Sequence, residues 1–211
     1  MNIENIKREN EMQNRIKELQ ESEIQKGDIS MEVMREVKMK AEKLQIGDRI
    51  RIDLQGEKHT ATAIRDEGDG MLFLLDEYLD EARQMNSRNS TDGGYDESKM
   101  RKFLRELTEA FPEKLRKRMA AFENGDLLRL LTITEMCGVD KNFNRCEGQI
   151  EWMKDNRRRI ACRKGKEYEC GWTSTVVSGA SFALVDGAGL ANCNHASLPL
   201  GVRPAFKILY P

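Results

Sequence analysis

Residues 172–206 read WTSTVVSGASFALVDGAGLANCNHASLPLGVRPAF, and their composition breaks from the rest of the chain. The 28 residues Thr173 to Leu200 contain no Lys, Arg, Glu, Gln, Met or Trp, and Asp186 is their one formal charge. The other 183 residues hold 59 Lys, Glu, Gln, Met and Trp, so the gap marks a change of character. A buried strand pair joined by small-residue turns would also exclude charge. Asn192-Cys193-Asn194-His195 and Leu198-Pro199-Leu200 are not strand-core sequence, however, and look like surface-loop positions filled with arbitrary residues.

The totals conceal this unevenness. The chain has 211 residues, enough for one well-buried domain and an appendage. Its 35 basic and 36 acidic residues leave a net charge of −1, so whole-chain charge does not imply a nucleic-acid partner. The longest apolar run, Met71-Leu72-Phe73-Leu74-Leu75, is far too short to span a bilayer. The first thirty residues are charged throughout and lack an apolar signal region, and the five cysteines include no C-x-x-C. The expectation is a protein with reduced thiols, cytoplasmic when synthesised, with no membrane insertion.

All 13 aromatic residues lie at or beyond Phe73, whereas 19 of residues 1–47 are charged. Such a segment cannot build its own core. Ile3, Ile6, Met12, Ile16 and Leu19 predict one helix ending at Gly27-Asp28; Val33, Val37, Ala41 and Leu44 predict a second after Ser30. Residues 1–45 are thus expected to form a helical arm for attachment or homo-oligomerisation. From residue 46 the pattern changes. Ile46–Ile52, Thr60–Ile64 and Met71–Leu75 predict strands, with a turn at Asp66–Gly70. Glu81–Gly94 reads as loop, and Met100, Phe103, Leu104, Leu107 and Phe111 line one face of a helix that Pro112 stops. A second helix is expected over Glu113 to Phe122, a buried strand over Leu127–Thr134, and short strands with long loops from Tyr168 onward. Strands, then helices, then strands without a βαβ repeat predict an α+β domain over residues 46–211.

Known catalytic patterns are missing. There is no Gly-x-Ser-x-Gly elbow and no glycine-rich phosphate loop, and His59 and His195 stand in unrelated contexts. Cys137, Cys146, Cys162 and Cys170 lack the close ligand spacings of structural zinc sites, so no metal and no cofactor are expected. The basic run Arg157-Arg158-Arg159 with Arg163, Lys164 and Lys166 has no interleaved aromatics for base stacking and reads as a solvated loop.

The frame Trp172-Thr173-Ser174-Thr175, Phe182, Gly189, Ala196-Ser197 and Gly201-Val202-Arg203-Pro204-Ala205-Phe206 resembles C-type-lectin-fold proteins of the formylglycine-generating-enzyme-like branch. More narrowly it is similar to the variable proteins of diversity-generating retroelements. In that family a reverse transcriptase copies a template with errors at adenines, and many targeted codons are AAC. A codon that keeps its third base never becomes Lys, Glu, Gln, Met or Trp, the five types absent from Thr173–Leu200. The resemblance covers residues 46–211, with a variable region of about 172–206, and leaves out the helical arm.

What the resemblance implies is a binding protein, not an enzyme. Val177, Leu184, Asp186, Ala188, Ala191, Cys193, His195, Leu198 and Leu200 become diversified, solvent-facing ligand contacts. Val177, Leu184, Leu198 and Leu200 would then form an apolar patch. Trp172, Phe182, Gly201, Arg203 and Pro204 become scaffold, Gly201 and Pro204 making a tight turn into the last strand and Arg203 tying the loop down through charge-assisted hydrogen bonds. The expected partner is a macromolecule, a protein first of all, met on a phage particle or a cell surface. The branch's oxidases bind copper through a cysteine pair; Cys170 and Cys193 are present here, but in no matching motif. The alternatives are a metal-dependent oxidase of that type and a non-diversified intracellular scaffold.

Overall fold

The apolar run Met71–Leu75 lies at the middle of the largest sheet, and its continuity has a simple cause. Met71, Phe73 and Leu75 enter one core cluster while Leu72 and Leu74 enter a second on the opposite face. A strand covered on both faces has no polar side to alternate with. The computed structural model describes residues 44–54, 56–167 and 169–210. The helical arm expected over residues 1–45 therefore lies outside the described residues, apart from its last two positions.

The described residues form a mixed helix-and-sheet, α+β arrangement. Strands β1 (Arg49–Leu54), β2 (Glu57–Asp66), β3 (Gly70–Leu75), β4 (Met119–Ala120) and β8 (Ala205–Leu209) make an antiparallel sheet in the order β1-β2-β3-β8-β4. The last strand in the chain thus sits between β3 and β4. Phe73 of β3 stacks on Phe206 of β8 at 5.6 Å between ring centroids, and Phe111 meets Phe206 edge-on at the same distance. A second sheet contains β5 (Gly171–Val176), β6 (Ser181–Val185) and β7 (Ala191–His195), in that order.

Helix α1 (Lys99–Leu107) begins at Ser98, whose hydroxyl accepts from the Arg101 N–H, and buries Met100 and Leu104. Beyond Pro112 the expected long helix is only one turn, α2 (Glu113–Arg116). The chain then enters β4, which places Met119 opposite Ile208 and buries it. Two other expectations are corrected. Ile46–Asp48 is a turn rather than the start of a strand: Gly47 has φ +97°, and Asp48 accepts from the Gln45 N–H at 2.8 Å. Leu127–Thr134 is not a strand. It makes one bridge, Arg129 to Ala205, and gives the Leu130 N–H to the Tyr95 hydroxyl. Thr132 then starts a helix, α3 (Ile133–Cys137), through a complete capping box with Glu135.

Candidate ligand-binding face

The second sheet is built around β6, which is buried on both faces. Phe182 and Leu184 join the first core cluster, Ala183 and Val185 the second. On one side β5 is fastened by hydroxyls: Thr173 donates to the Ala183 carbonyl at 2.9 Å, and Thr175 accepts the first free N–H of α3, from Ile133, at 3.0 Å. On the other side β7 is the edge strand. The bonds Asp186 N to Leu190 O and Ala196 N to Ala180 O, each 2.9 Å, turn even-numbered residues toward β6. The N–H groups of Cys193 and His195 therefore point to the free edge. There each donates to the side-chain oxygen of the preceding asparagine, Asn192 at 2.8 Å and Asn194 at 2.9 Å. Occupied edge groups are poor templates for another strand.

The turns around β7 are held by their own backbone and by the segment 83–91. The β6–β7 turn closes on the Asp186 carboxylate, whose Oδ1 accepts from the N–H groups of Ala188 and Leu190 at 2.9 Å each. Arg83 and Leu200 exchange backbone bonds of 2.8 and 3.1 Å, Asn86 N donates to Ala196 O at 2.9 Å, and Thr91 N donates to Gly179 O at 3.0 Å. The Thr91 hydroxyl donates to Ser178 O at 2.7 Å, and the Asn89 side chain accepts from Ser197. Most of these contacts end on main-chain atoms of residues 178–200. They do not depend on which side chains those residues carry.

Against this frame the expected contact residues separate. Ala188, His195 and Leu198 are exposed; Val177, Asp186, Ala191, Cys193 and Leu200 are half-buried. Leu184 is a correction: at 2% exposure it is a core residue of β6 and faces no solvent. The apolar patch of Val177, Leu184, Leu198 and Leu200 is not formed, because Val177 packs on the second cluster and Leu200 on the first. Sequence reasoning passed over Leu190, at 54% the most exposed large apolar side chain among the described residues. Its signal was its place after Asp186-Gly187-Ala188-Gly189, where the turn closes and no strand neighbour covers it. Leu190 and Leu198 lie beyond opposite ends of β7, so they mark two apolar points with Ala191, Cys193 and His195 on one face between them.

Among the scaffold residues, Trp172, Phe182, Gly201 and Pro204 are buried, and Trp172 Nε1 donates to Arg83 O at 2.8 Å. Arg203 donates from Nε to Leu75 O at 2.5 Å and from Nη1 to Arg158 O at 3.1 Å. Gly201 serves close approach more than a turn. It bridges Gly171, and a Cβ on either glycine would lie 2.3 Å from the Tyr78 ring or its hydroxyl.

Cys170 and Cys193 are not brought together. Cys170 leads into β5 and Cys193 lies on β7, with β6 between them, so their backbones are at least two strand spacings, ~10 Å, apart. No group of three or more His, Cys, Asp or Glu among the described residues is placed to hold a metal ion, and none of the described helices is long and apolar enough to cross a membrane. No family model, no curated protein and no solved structure matches this chain.

Proposed function

We propose that this chain is a receptor-type binding protein, in which a C-type-lectin-like scaffold displays interchangeable side chains from β7 and its flanking turns within residues 173–200. Recognition falls to side chains around β7: Ala188, Leu190 and Asp186 at the β6–β7 turn, Ala191, Cys193 and His195 along the strand, and Leu198 beyond it. The observation that carries this reading is the backbone-to-backbone fastening of residues 178–200 to segment 83–91. Loops held by main-chain bonds on a rigid sheet can exchange side chains at little cost to folding, as antibody loops do. The five missing residue types give the same segment its link to adenine-directed diversification. The matching partner is a protein surface, for which one side of a standard interface covers about 800 Å².

The test is a display library of the full chain, randomised together at Ala188, Leu190, His195 and Leu198. Most members are expected to fold, and panning against an unrelated purified protein should yield binders. A library whose members mostly fail to fold would overturn the proposal.

A further inference from the structure

A second site lies inside the domain, away from the β7 face. A cavity of about 10 Å³, room for one water-sized sphere, is lined by Tyr78, Met136, Arg159, Gly171, Trp172 and Arg203, together with aliphatic side chains. Two guanidinium groups border it and no carboxylate does. Elsewhere the chain avoids this arrangement. Among the described residues, the other half-buried arginines, Arg65, Arg83, Arg101, Arg116, Arg129 and Arg163, each have a carboxylate within salt-bridge distance. Arg159 and Arg203 have none among those residues.

Their hydrogen bonding is incomplete as well. Arg203 donates to the carbonyls of Leu75, Arg158 and Arg159, which carry partial charge only. Arg159 Nε is buried and has no acceptor, and the Arg159 side chain lies beside the Cys137 thiol. The Tyr78 side chain is buried against Gly171 and Gly201, and its hydroxyl makes no hydrogen bond to any described residue. Burial pulls the Arg203 guanidinium below its ordinary pKa, with Tyr78 and Asp76 opposing; that is the behaviour of a desolvated cation. Asp76 itself is paired with Arg49 at 3.1 Å. Buried charge is costly unless paired, so a desolvated Arg203 with a half-buried Arg159 beside it around one hollow calls for an anion between them.

We propose that this cavity is a binding site for a single monatomic anion, chloride being the physiological case, held by the guanidinium groups of Arg159 and Arg203 and the Tyr78 hydroxyl. The hollow is small, so a monatomic anion fits it better than phosphate, sulfate or a carboxylate. The ion would add a further tie among three pieces that Arg203 already links through carbonyls: the segment after β3 through Tyr78, the basic 157–159 run through Arg159, and the Gly201–Phe206 close through Arg203. It would thereby stabilise the folded domain in proportion to its concentration.

Crystals of the full chain soaked in bromide test this directly, because bromide scatters anomalously. An anomalous peak is expected in the cavity, within hydrogen-bond reach of Arg159 and Arg203. In solution, the thermal midpoint should rise by about 3–5 °C for each tenfold increase in chloride above the dissociation constant, at ionic strength held fixed with gluconate. Arg159→Met should abolish that rise and, in gluconate alone, melt no lower than the wild type, since it removes a half-buried charge that has no carboxylate partner among the described residues. An ordered water in the cavity with no bromide peak, or equal wild-type midpoints in chloride and gluconate, would overturn the proposal. The bromide result stands on the wild type, whatever the stability of the variant.

Discussion

Two leucines of one charge-poor window have opposite surroundings. Leu184 sits in β6 with 2% of its surface exposed, whereas Leu198 lies past β7 with 39% exposed. Truncating the first removes buried area and leaves a cavity, so Leu184→Ala should cost about 2–5 kcal/mol. Leu198→Ala should change stability by no more than about 0.5 kcal/mol. Urea denaturation of the two variants gives the comparison; equal losses would mean that residues 196–200 belong to the core. Gly201 is constrained in another way. A Cβ there would lie 2.3 Å from Tyr78 Cδ2, inside any real contact distance. Gly201→Ala should therefore destabilise the domain by about 1–3 kcal/mol even though it adds one methyl group, and the midpoint of the same denaturation would measure it.

At the scale of elements, the five-residue helix α3 is held by its first turn more than by its length. Glu135 closes the capping box on Thr132 and forms a two-pronged pair with Arg129, both bonds 2.7 Å, with Arg65 at 3.2 Å. Burial alone would push the Glu135 carboxyl up; Arg129, the Thr132 N–H and Arg65 together outweigh it and hold the carboxyl below its ordinary value of 4.5. A depressed folded-state pKa contributes stability above about pH 4.5, and that contribution is lost as pH falls through the lower, folded-state value. Glu135→Gln should cost about 3 kcal/mol at neutral pH and flatten the acid limb of the stability profile, measured as melting temperature from pH 3 to pH 7. An unchanged acid limb would place the sensitivity in other carboxylates.

The same element shows why some of the fold was legible in the sequence. Met71–Leu75 was readable as a strand because its continuous apolar run fits burial on both faces. Leu127–Thr134 is also largely apolar, but its backbone bonds go to the Tyr95 hydroxyl, a single bridge to Ala205, the Ser174 N–H and a helix cap, and tertiary partners decided the outcome. The cue that separates the two, Thr132-Ile133-Thr134-Glu135, was present as a capping-box spacing. Ile46–Ile52 alternates as a strand should, yet Gly47 and Asp48 spend its first residues on a turn. In the face around β7, composition marked the segment but not its pleat. Burial of both faces of β6 put Leu184 inward, and its place at the end of the β6–β7 turn left Leu190 outward, neither of which follows from residue type alone.

Across the whole domain, labour is divided by bond type. The five-stranded sheet, β6 and both core clusters depend on buried apolar side chains, while β7 and the turns on either side of it are placed chiefly through main-chain bonds to segment 83–91 and across β6. Segment 83–91, polar and loop-like in sequence, is thus the frame that keeps the face in position. Asn86→Ala should show this: it removes the bonds from Asn86 Nδ2 to Ser90 O and from Lys99 N to Asn86 Oδ1. Faster amide hydrogen exchange is then expected at Ala196 and Leu200, with little change in β3. Uniform acceleration would mean that the segment supports the entire fold. The central claim, that evolution exchanges side chains on a fixed frame here, is tested most directly by sequencing the coding region and its flanking DNA from many cells of one population. The account predicts a nearby reverse-transcriptase gene, a near-copy of the 173–200 coding segment, and substitutions at its adenine positions that fall on the codons of Ala188, Ala191, Cys193, His195 and Leu198. Absence of the near-copy, with substitutions spread evenly over the gene, would contradict it.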